Sequence, residues 1–438
     1  MRCTLFPARA HPERISRLLG LGVAVVLAVP LSATAADAAA SAGRAENAAV
    51  VSDWNSTAVN TLAGDTRRAA PEWALYLAFM HAAMYDAVVG VEGRYQPYIS
   101  HDRARPGASA TAAAAAAAHK ILVTYEPYAQ SSLDTALATS LAGIPDGPAE
   151  TNGVAFGELV ASKIIALRAN DGRNAPVLFT KPPAPGVWRP TPPGFLPMAV
   201  PWLGGVTPLL VRSATQFAPP PPPALTSSRY TRDFNEVKAA GSATSTARTA
   251  GQTATAVFFS GNAFVQFNAA LRDQAAKRGL DIVQAARMFA AVDMTVADAF
   301  ITTWRAKLLY GIWRPSTAIQ LAGTDGNPAT AADPGWTPLL ANPNYPDYVS
   351  GYNAFAASFS GALQGLFGRH LDIALTSMPV PGVTRSYDSG AALRADVVNA
   401  RVWLGIHFRS ADVAARDLGV SLASWTLDHY FQPVRQHG

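Results

Sequence analysis

The arrangement of apolar and polar positions along the chain predicts long α-helices. Between residues 71 and 91 the apolar side chains recur every three or four positions, which places them on one face of a helix. The residues that make this face are Trp73, Leu77, Met80, Met84 and Val88. Pro71 and Glu72 suit the first turn of a helix, so we expect the helix to begin there.

Several further stretches show the same period or a strong helical propensity. The alanine-rich stretch 108–126 is helical by propensity, since alanine has the highest intrinsic preference for a helix. Apolar periodicity predicts the others, over residues 148–171, 231–241, 253–261, 262–279 and 281–313. Strands and helices do not alternate regularly, so we predict an all-α fold of two packed helical bundles.

Residues 176–225 interrupt the helical pattern. This stretch is rich in proline, which blocks both helix interiors and central strands. Trp188 and Trp202 offer apolar anchors, so we expect an ordered crossover rather than a flexible linker. We therefore predict an N-terminal helical lobe (39–175), the Pro-rich crossover (176–225) and a C-terminal helical lobe (226–438).

The first 38 residues carry the pattern of a secretory signal peptide. Arg14 and Arg17 precede an apolar run from Leu18 to Leu31, and the small residues that follow suit cleavage near Ala38. The run is short for a membrane span, which makes an uncleaved anchor the weaker alternative. We therefore expect cleavage of residues 1–38 and a secreted or extracytoplasmic mature protein.

Composition excludes several classes of function. The chain of 438 residues is 49% hydrophobic and 15% charged, which is a globular rather than a disordered composition. Its formal net charge is +5 without a run of Lys or Arg, so we expect no nucleic-acid partner. The single cysteine, Cys3, lies in the signal segment, which excludes disulfides and thiol catalysis from the mature chain. We also expect no membrane span in the mature chain.

Two basic residues near the end of the 281–313 helix are the first candidates for a functional site. Lys307 and Arg314 are seven residues apart, or two helical turns, so they would share one face of a continuous helix. Pro315 places Arg314 at or near the end of that helix. A solvated charged face would give the same spacing, but two cations on an apolar helix otherwise require an anionic partner.

A second candidate is the start of the helix predicted at 351–363. The preceding residues are rich in turn formers, and Ser350 fits an N-cap. A helix N-terminus presents free N–H groups and the positive end of the helix dipole. Ser350 and Gly351 could therefore donate hydrogen bonds to an oxyanion, and an ordinary capped helix is the alternative.

A third candidate pairs Arg401 with His407. The two residues are six apart, about 120° around an ideal helix, so they cannot share a face of one unbroken helix. Gly405 suggests a break, and Ser410 with Asp412 resembles a new N-cap and first turn. His407 would then lie in a loop, where a neutral ring nitrogen can attack phosphorus or coordinate a metal oxyanion. A histidine at the edge of the core is the alternative.

Together the three segments predict a pocket for a tetrahedral oxyanion, and they resemble a known signature. In the vanadium-dependent haloperoxidases and the related type-2 phosphatidic acid phosphatase superfamily it reads K-x6-R-P, P-S-G-H and S-R-x5-H. This chain has Lys307-x6-Arg314-Pro315, Val349-Ser350-Gly351-Tyr352 and Ala400-Arg401-x5-His407. Stretches such as HAAMYDAV, GVWRPTPP and GIHFR resemble the secreted bacterial haloperoxidase-like branch over nearly the whole mature chain.

The resemblance implies a mainly helical two-bundle fold with vanadate as cofactor and neither haem nor zinc. Lys307, Arg314 and Arg401 would neutralise the oxyanion. Ser350 and Gly351 would donate hydrogen bonds to it. His407 would bind vanadium axially in a peroxidase, which oxidises halide with hydrogen peroxide.

One departure from the family pattern bears on catalysis. The position of the family's acid–base histidine is Tyr352. Tyrosine has a reference pKa of about 10 against about 6.5 for histidine, so it is a poor base at neutral pH. Anion binding is expected to survive this change, while proton transfer is weakened. His370 and Asp347 are candidate replacements by chain proximity alone.

Three functions stay open at this point. The first is the haloperoxidase, and the second is an acid phosphatase that uses His407 as nucleophile on a phosphomonoester. The third is a non-catalytic member that only binds an oxyanion. Outside the three segments, we interpret His81 as a core histidine and His119 as a surface or interlobe residue, while Asp298 could orient an arginine or pair at a helix surface.

Overall fold

The computed structural model describes residues 46–434, in which α-helices dominate. The predicted signal peptide lies outside the described residues. The first five helices are α1 (Ala49–Gly64), α2 (Trp73–Glu92), α3 (Ala110–Tyr125), α4 (Gln130–Leu141) and α5 (Pro148–Leu167). Three of them, α2, α3 and α5, match the stretches whose pattern predicted helices.

The second half of the chain is also helical. Its helices are α6 (Ser228–Ala240), α7 (Ala250–Phe258), α8 (Ala263–Lys277), α9 (Ile282–Tyr310), α10 (Pro315–Gln320), α11 (Gly351–Phe367), α12 (Gly390–Trp403) and α13 (Arg409–His429). A short antiparallel hairpin of β1 (Ile373–Thr376) and β2 (Thr384–Tyr387) lies between α11 and α12. The prediction of an all-α fold is confirmed, and the hairpin was not predicted.

The Pro-rich segment is ordered by a buried carboxylate. Its one helical turn within residues 176–225, all of which the structure describes, is Pro201–Gly205. Asp298 on α9 accepts main-chain N–H groups at 2.6, 2.8 and 2.9 Å, from Leu209, Leu210 and Val211. Asp298 therefore anchors the crossover to α9, and the alternative that it orients an arginine or pairs at a helix surface is wrong.

The helix α9 lies at the centre of the fold. It packs against α2 on the N-terminal side and against α11 and α13 on the C-terminal side. Helices α2, α3 and α5 pack on one another, as do α11, α12 and α13. The described residues belong to one compact unit, and their division into two lobes stays a prediction.

The apolar helix at residues 70–92 corrects one expectation about the sequence. Its length and mean hydropathy of 1.5 would allow it to cross a membrane, whereas we expected no such stretch after the signal segment. However, 94% of its apolar window is buried inside the protein. Helices buried in the core of soluble proteins have the same composition, since an all-round apolar helix needs apolar neighbours on every side.

Two glycines on a neighbouring helix explain why most side chains of the alanine-rich helix α3 are small. Helix α5 crosses it at Gly153 and Gly157, where a methyl group would overlap the main chain at Ser109 and Ala113. Close approach of two helices requires small residues on both surfaces. The alanine run thus reflects tight helix packing as well as helical propensity.

A buried polar cluster joins α2 to α9. His81 Nε2 lies 3.4 Å from Asp293 Oδ2 and 3.1 Å from the amide nitrogen of Asn55. His81 is buried, as expected for a core histidine. Burial raises the pKa of Asp293 to about 8 and lowers the pKa of His81 to about 3. At neutral pH the pair therefore holds one proton.

This pair predicts how stability depends on pH. The ordinary pKa values are 3.8 for Asp and 6.5 for His, so between pH 6.5 and 8 the folded pair keeps a proton that the unfolded chain has released. The free energy of unfolding should therefore fall by about 1–2 kcal/mol as pH rises across this window. Below pH 6.5, the unfolded chain binds a proton at His81 that the folded protein does not bind. This effect on the free energy of unfolding is opposite to that of Asp293 and cancels it.

An Asp293→Asn variant tests this expectation in urea unfolding measured at several pH values. We expect the decline between pH 6.5 and 8 to be about 1–2 kcal/mol smaller in the variant than in the wild type, because other buried acids such as Glu126, with a pKa of about 7, titrate in both proteins. The exposed Asp417 provides the matched control, and Asp417→Asn should keep the decline. Equal pH dependence in the wild type and in Asp293→Asn would contradict the assignment.

Candidate functional site

Lys307 and Arg314 approach one another from different elements. Helix α9 ends at Tyr310 because Gly311 adopts a left-handed conformation with φ of +61°. Arg314 is the N-cap residue of the next helix, α10. The prediction that the two cations share a helical face is therefore wrong. Both nevertheless lie close to the ring of Tyr345. Lys307 Nζ is 4.9 Å from the ring centre, and Arg314 Cζ is 5.0 Å from it.

Ser350 caps α11 as predicted. Its hydroxyl accepts the N–H of Asn353, and its backbone is extended at the helix start. The main-chain N–H of Ser350 is already used, since it donates to Ala411 O at 3.1 Å. The donors this corner can offer to an anion are therefore the Ser350 hydroxyl and the N–H groups of Gly351 and Tyr352, which have no acceptor within their own helix.

The third segment breaks where Gly405 predicted a break. Gly405 has φ of +78°, and a methyl group there would overlap the carbonyl oxygen of Gly241. His407 follows in the loop before α13, as expected. The N-cap of α13 is Phe408 rather than Ser410. Ser410 instead donates its N–H and hydroxyl to Asp233, so that part of the prediction is wrong.

Lys307 is buried completely and is held by main-chain oxygens. Its ammonium group donates to Pro346 O at 2.6 Å and to Asp347 O at 3.1 Å. Burial, and secondly the charge of Arg314, hold the pKa of Lys307 well below its ordinary value. An anion bound nearby would restore the charged form, because opposite charges favour ionisation.

Arg314 links the loop before α11 to the loop before α13. Its Nε donates to Tyr345 O at 2.8 Å, and its Nη1 donates to Ile406 O at 2.7 Å. The side chain is fully buried, and Nη2 has no hydrogen-bond partner among the described residues. A buried guanidinium N–H without an acceptor costs free energy unless a ligand supplies one.

Arg401 presents a second donor of the same kind. Its Nη1 donates to Phe259 O at 2.8 Å, whereas its buried Nε has no partner in the described part of the chain. The guanidinium carbon lies 4.7 Å from the ring centre of Tyr352. Burial lowers the pKa of Arg401 from its ordinary value, and the guanidinium nevertheless stays charged at neutral pH.

His407 is oriented by a carboxylate. Its Nδ1 lies 2.7 Å from Asp347 Oδ1, and Arg314 Nη1 lies 3.2 Å from its Nε2. Burial, followed by the neighbouring cations, holds the pKa of His407 well below its ordinary range. Burial raises the pKa of Asp347 to about 7 against the opposing effect of Arg314. In a neutral ring held through Nδ1, Nε2 is the atom that can bind or attack, once it no longer accepts from Arg314 Nη1.

A second buried acid stands behind the start of α11. Asp412 Oδ1 accepts from the amide of Asn353 at 2.8 Å, and Asp412 Oδ2 has no partner among residues 46–434. Burial, and secondly repulsion from Asp347, raise the pKa of Asp412 well above its ordinary value. Asp412 was predicted only as a first-turn residue, and its place beside the cations depends on tertiary packing that the sequence does not reveal.

A cavity of about 360 Å³ opens onto this cluster. Its walls include four predicted site residues, which are Gly351, Tyr352, Arg401 and His407. Lys307 and Arg314 lie behind two of the lining residues, Tyr345 and His407. The opposite walls are mostly apolar, and they include Pro71, Phe264, Phe300, Trp304 and Pro343. The structure thus brings residues of the second and third segments to one cavity, whereas Lys307, Arg314 and Ser350 are buried outside its lining.

The other histidines considered from the sequence lie elsewhere. His370 is exposed and does not line the cavity, so it is not placed to replace the missing acid–base residue. His119 contacts Asp134 at 2.7 Å, away from this cavity. Within residues 46–434, no three His, Cys, Asp or Glu side chains come together in a group that could hold a metal ion.

Comparisons with known proteins find relatives of part of the chain. Residues 287–436 match the family described as the VCPO second helical-bundle domain. A vanadium chloroperoxidase from Curvularia inaequalis is 28% identical over 184 residues. That match covers 30% of this chain and 29% of the relative, so the chain spans under a third of the length of that curated protein.

Solved structures extend the likeness to most of the fold. The first bacterial vanadium-dependent iodoperoxidase superposes with a TM-score of 0.74 at 21% identity, covering 89% of this chain and 97% of the other. The holo form of a bacterial vanadium-dependent chloroperoxidase gives a TM-score of 0.68 at 18% identity, covering 84% and 93%. At these identities the likeness establishes the fold. The chain therefore has the helical fold seen in bacterial vanadium-dependent haloperoxidases, and its residues 287–436 match the VCPO second helical-bundle domain.

Proposed function

We propose that the chain is a vanadate-dependent haloperoxidase-like enzyme that oxidises halide with hydrogen peroxide. Lys307, Arg314 and Arg401 would hold the oxyanion, together with donors from Ser350 and Gly351. His407 Nε2 would provide the bond to vanadium. Vanadate bound in this way supplies the Lewis-acid chemistry that activates peroxide toward attack by a halide.

One observation carries the proposal. Two buried guanidinium N–H donors, Arg314 Nη2 and Arg401 Nε, have no acceptor among the described residues. They belong to residues near the same histidine, at the same cavity. Unpartnered guanidinium nitrogens also occur at Arg68, Arg189 and Arg385, so the distinguishing feature is that these two lie at one histidine and one cavity. Donors on two arginines fit the oxygens of one tetrahedral anion.

The charges around the site support an anionic ligand. Three cations and two carboxylates, those of Asp347 and Asp412, lie together in a fully buried cluster. Burial raises the pKa of both acids and lowers that of Lys307, so the two arginines supply the charge that leaves the cluster positive. Charge left uncompensated in a dry interior is costly, so an oxyanion would stabilise the folded protein as well as bind to it.

An acid phosphatase is the second candidate. The same residues would bind a phosphoryl group, and His407 would attack phosphorus through Nε2. The contact that favours this reading is the one between Asp347 and His407 Nδ1, because a carboxylate that holds the ring makes it a better nucleophile. A third candidate is a member that only binds an oxyanion, which the tyrosine at position 352 supports.

Activity measurements separate the candidates. Bromide and iodide oxidation with peroxide should appear on addition of vanadate and be absent without it. A phosphatase would instead hydrolyse a phosphomonoester, form a trappable phosphohistidine at His407 and be inhibited by vanadate. If vanadate leaves halide oxidation unchanged, and His407→Ala behaves as the wild type does, the haloperoxidase proposal is wrong.

We also propose export of the protein through its N-terminal signal segment. The basic residues, the apolar run and the small residues before position 39 support this proposal. Expression of the full chain in a bacterial host should place a protein that begins close to residue 39 outside the cytoplasm. An uncleaved N-terminus, found by mass spectrometry of cytoplasmic material alone, would contradict it.

A further inference from the structure

Tyr352 occupies the position where the resemblance places an acid–base histidine, yet its hydroxyl is bound elsewhere. The hydroxyl donates to Gln266 Oε1, on helix α8. Burial raises the pKa of Tyr352 above its ordinary value, so the hydroxyl keeps its proton at neutral pH. The proton that would be needed in the oxyanion pocket therefore points at an amide oxygen.

The orientation of Gln266 makes this direction unambiguous. Its Nε2 donates to Thr376 O at 2.8 Å and to Phe258 O at 3.5 Å. Both partners are carbonyl oxygens, which can only accept, so the amide cannot be turned round. Gln266 is 6% exposed, and water has little access to compete. Its Oε1 must accept, and Tyr352 must donate.

The ring of Tyr352 has a different neighbour. The guanidinium carbon of Arg401 lies 4.7 Å from the ring centre, within the range of a cation–π contact. Arg401 Nη1 donates to Phe259 O. Phe259 directly follows Phe258, whose carbonyl oxygen accepts from Gln266. The end of α7 thus anchors both the arginine and the amide that holds the tyrosine.

We propose that Tyr352, held by Gln266, is a positioning residue that fixes the guanidinium of Arg401 for oxyanion binding and takes no part in proton transfer. This inference rests on the proposed function, because it assigns the role of one wall of that site. It adds Gln266 on α8 to the residues that determine oxyanion affinity, and no motif includes that position. In this role Gln266 acts through the tyrosine ring.

Three variants test the inference by calorimetric titration with vanadate and, separately, with inorganic phosphate. Tyr352→Leu removes the ring beneath Arg401 and should raise both Kd values by about 10- to 30-fold. Tyr352→Phe keeps the ring but loses its tether, and should raise them by only about 2- to 5-fold. Gln266→Met loses the same tether together with the bonds to Thr376 O and Phe258 O, so it should raise the Kd values at least as much as Tyr352→Phe does. It keeps the test informative if Tyr352→Phe folds poorly.

A double-mutant cycle and a pH profile separate positioning from general instability. In an Arg401→Lys background, Tyr352→Leu should have little additional effect on Kd, because the two changes remove the same contact. The pH dependence of halide oxidation in Tyr352→Phe should keep the shape of the wild-type profile, with kcat/KM lowered in proportion to affinity. Far-UV circular dichroism checks that each variant is folded.

Two results would overturn the inference. A loss of about 100-fold or more in kcat for Tyr352→Phe, with an altered pH limb and unchanged Kd, would assign proton transfer to the hydroxyl. A wild-type Kd in Tyr352→Leu would show that the ring does not position Arg401. A wild type that binds neither oxyanion would overturn the proposed function together with this inference, whereas the other two outcomes leave the proposed function standing.

Discussion

An Arg314→Ala variant is expected to lose at least about 100-fold in vanadate affinity, since charge-assisted hydrogen bonds contribute about 1.5–3 kcal/mol each. The guanidinium holds two loops together through Tyr345 O and Ile406 O, and it keeps Nη2 available for a ligand. Alanine removes the donor to the anion and the fixed geometry around His407 at once. Calorimetric titration with vanadate measures the change.

The same variant should also be less stable. It leaves two buried carbonyl oxygens without a donor and removes a cation 3.9 Å from Asp347, with an expected cost of about 3–5 kcal/mol. Arg314→Lys is the matched control, because it keeps the charge but cannot bridge both carbonyls. We expect intermediate affinity for the lysine variant. Affinity equal to that of the wild type in a folded Arg314→Ala protein would contradict the role of this residue.

A His407→Ala variant is expected to lose catalysis by at least about 1,000-fold in either reaction, as is usual for the loss of a nucleophile or metal-binding group. The side chain is buried at the wall of the cavity, its Nδ1 is held by Asp347, and its Nε2 lies 3.2 Å from Arg314 Nη1. Steady-state assays of halide oxidation and of phosphomonoester hydrolysis measure the loss. His370→Ala, which removes an exposed histidine, is the matched control and should leave both rates unchanged.

The two reactions predict different residual behaviour of His407→Ala. In a peroxidase the three cations still attract vanadate, so some binding should survive, and free imidazole that enters the vacated space should restore part of the rate. In a phosphatase the covalent intermediate cannot form. Activity at the wild-type level in the alanine variant would exclude His407 from both mechanisms.

Much of the site could be predicted because its motifs depend on local rules. Ser350 was recognisable as an N-cap, since a serine follows turn formers and precedes an apolar helix. Gly405 marked a break because only glycine adopts its conformation at low cost. The same local reasoning failed at Arg314, where Gly311 ends α9 earlier than the spacing of the two cations suggested.

The carboxylates around the site could not have been assigned from the sequence. Asp347 was a candidate only because it lies close to Tyr352 in the chain, and Asp412 was interpreted as a helix-start residue. Both are buried beside cations that come from other elements. Their role depends on the packing of α11 against α13, which brings distant stretches of the chain together.

The helices could be predicted from a repeating apolar pattern, which the hairpin lacks. A helix repeats its apolar pattern over three to five turns, whereas β1 and β2 have four residues each and no comparable repeat. Gln266 is the clearest case of a residue beyond the reach of sequence reasoning. Nothing in its surroundings on α8 indicates that its amide would hold the tyrosine at the oxyanion site.

The most direct test of the central claim is calorimetric titration of vanadate into the wild type, Arg314→Ala, Arg401→Ala and His407→Ala. We expect one saturable vanadate site in the wild type, for which phosphate competes. We also expect large losses of affinity in both arginine variants and a smaller loss in His407→Ala. No binding to the wild type, or equal affinity in all four proteins, would contradict it.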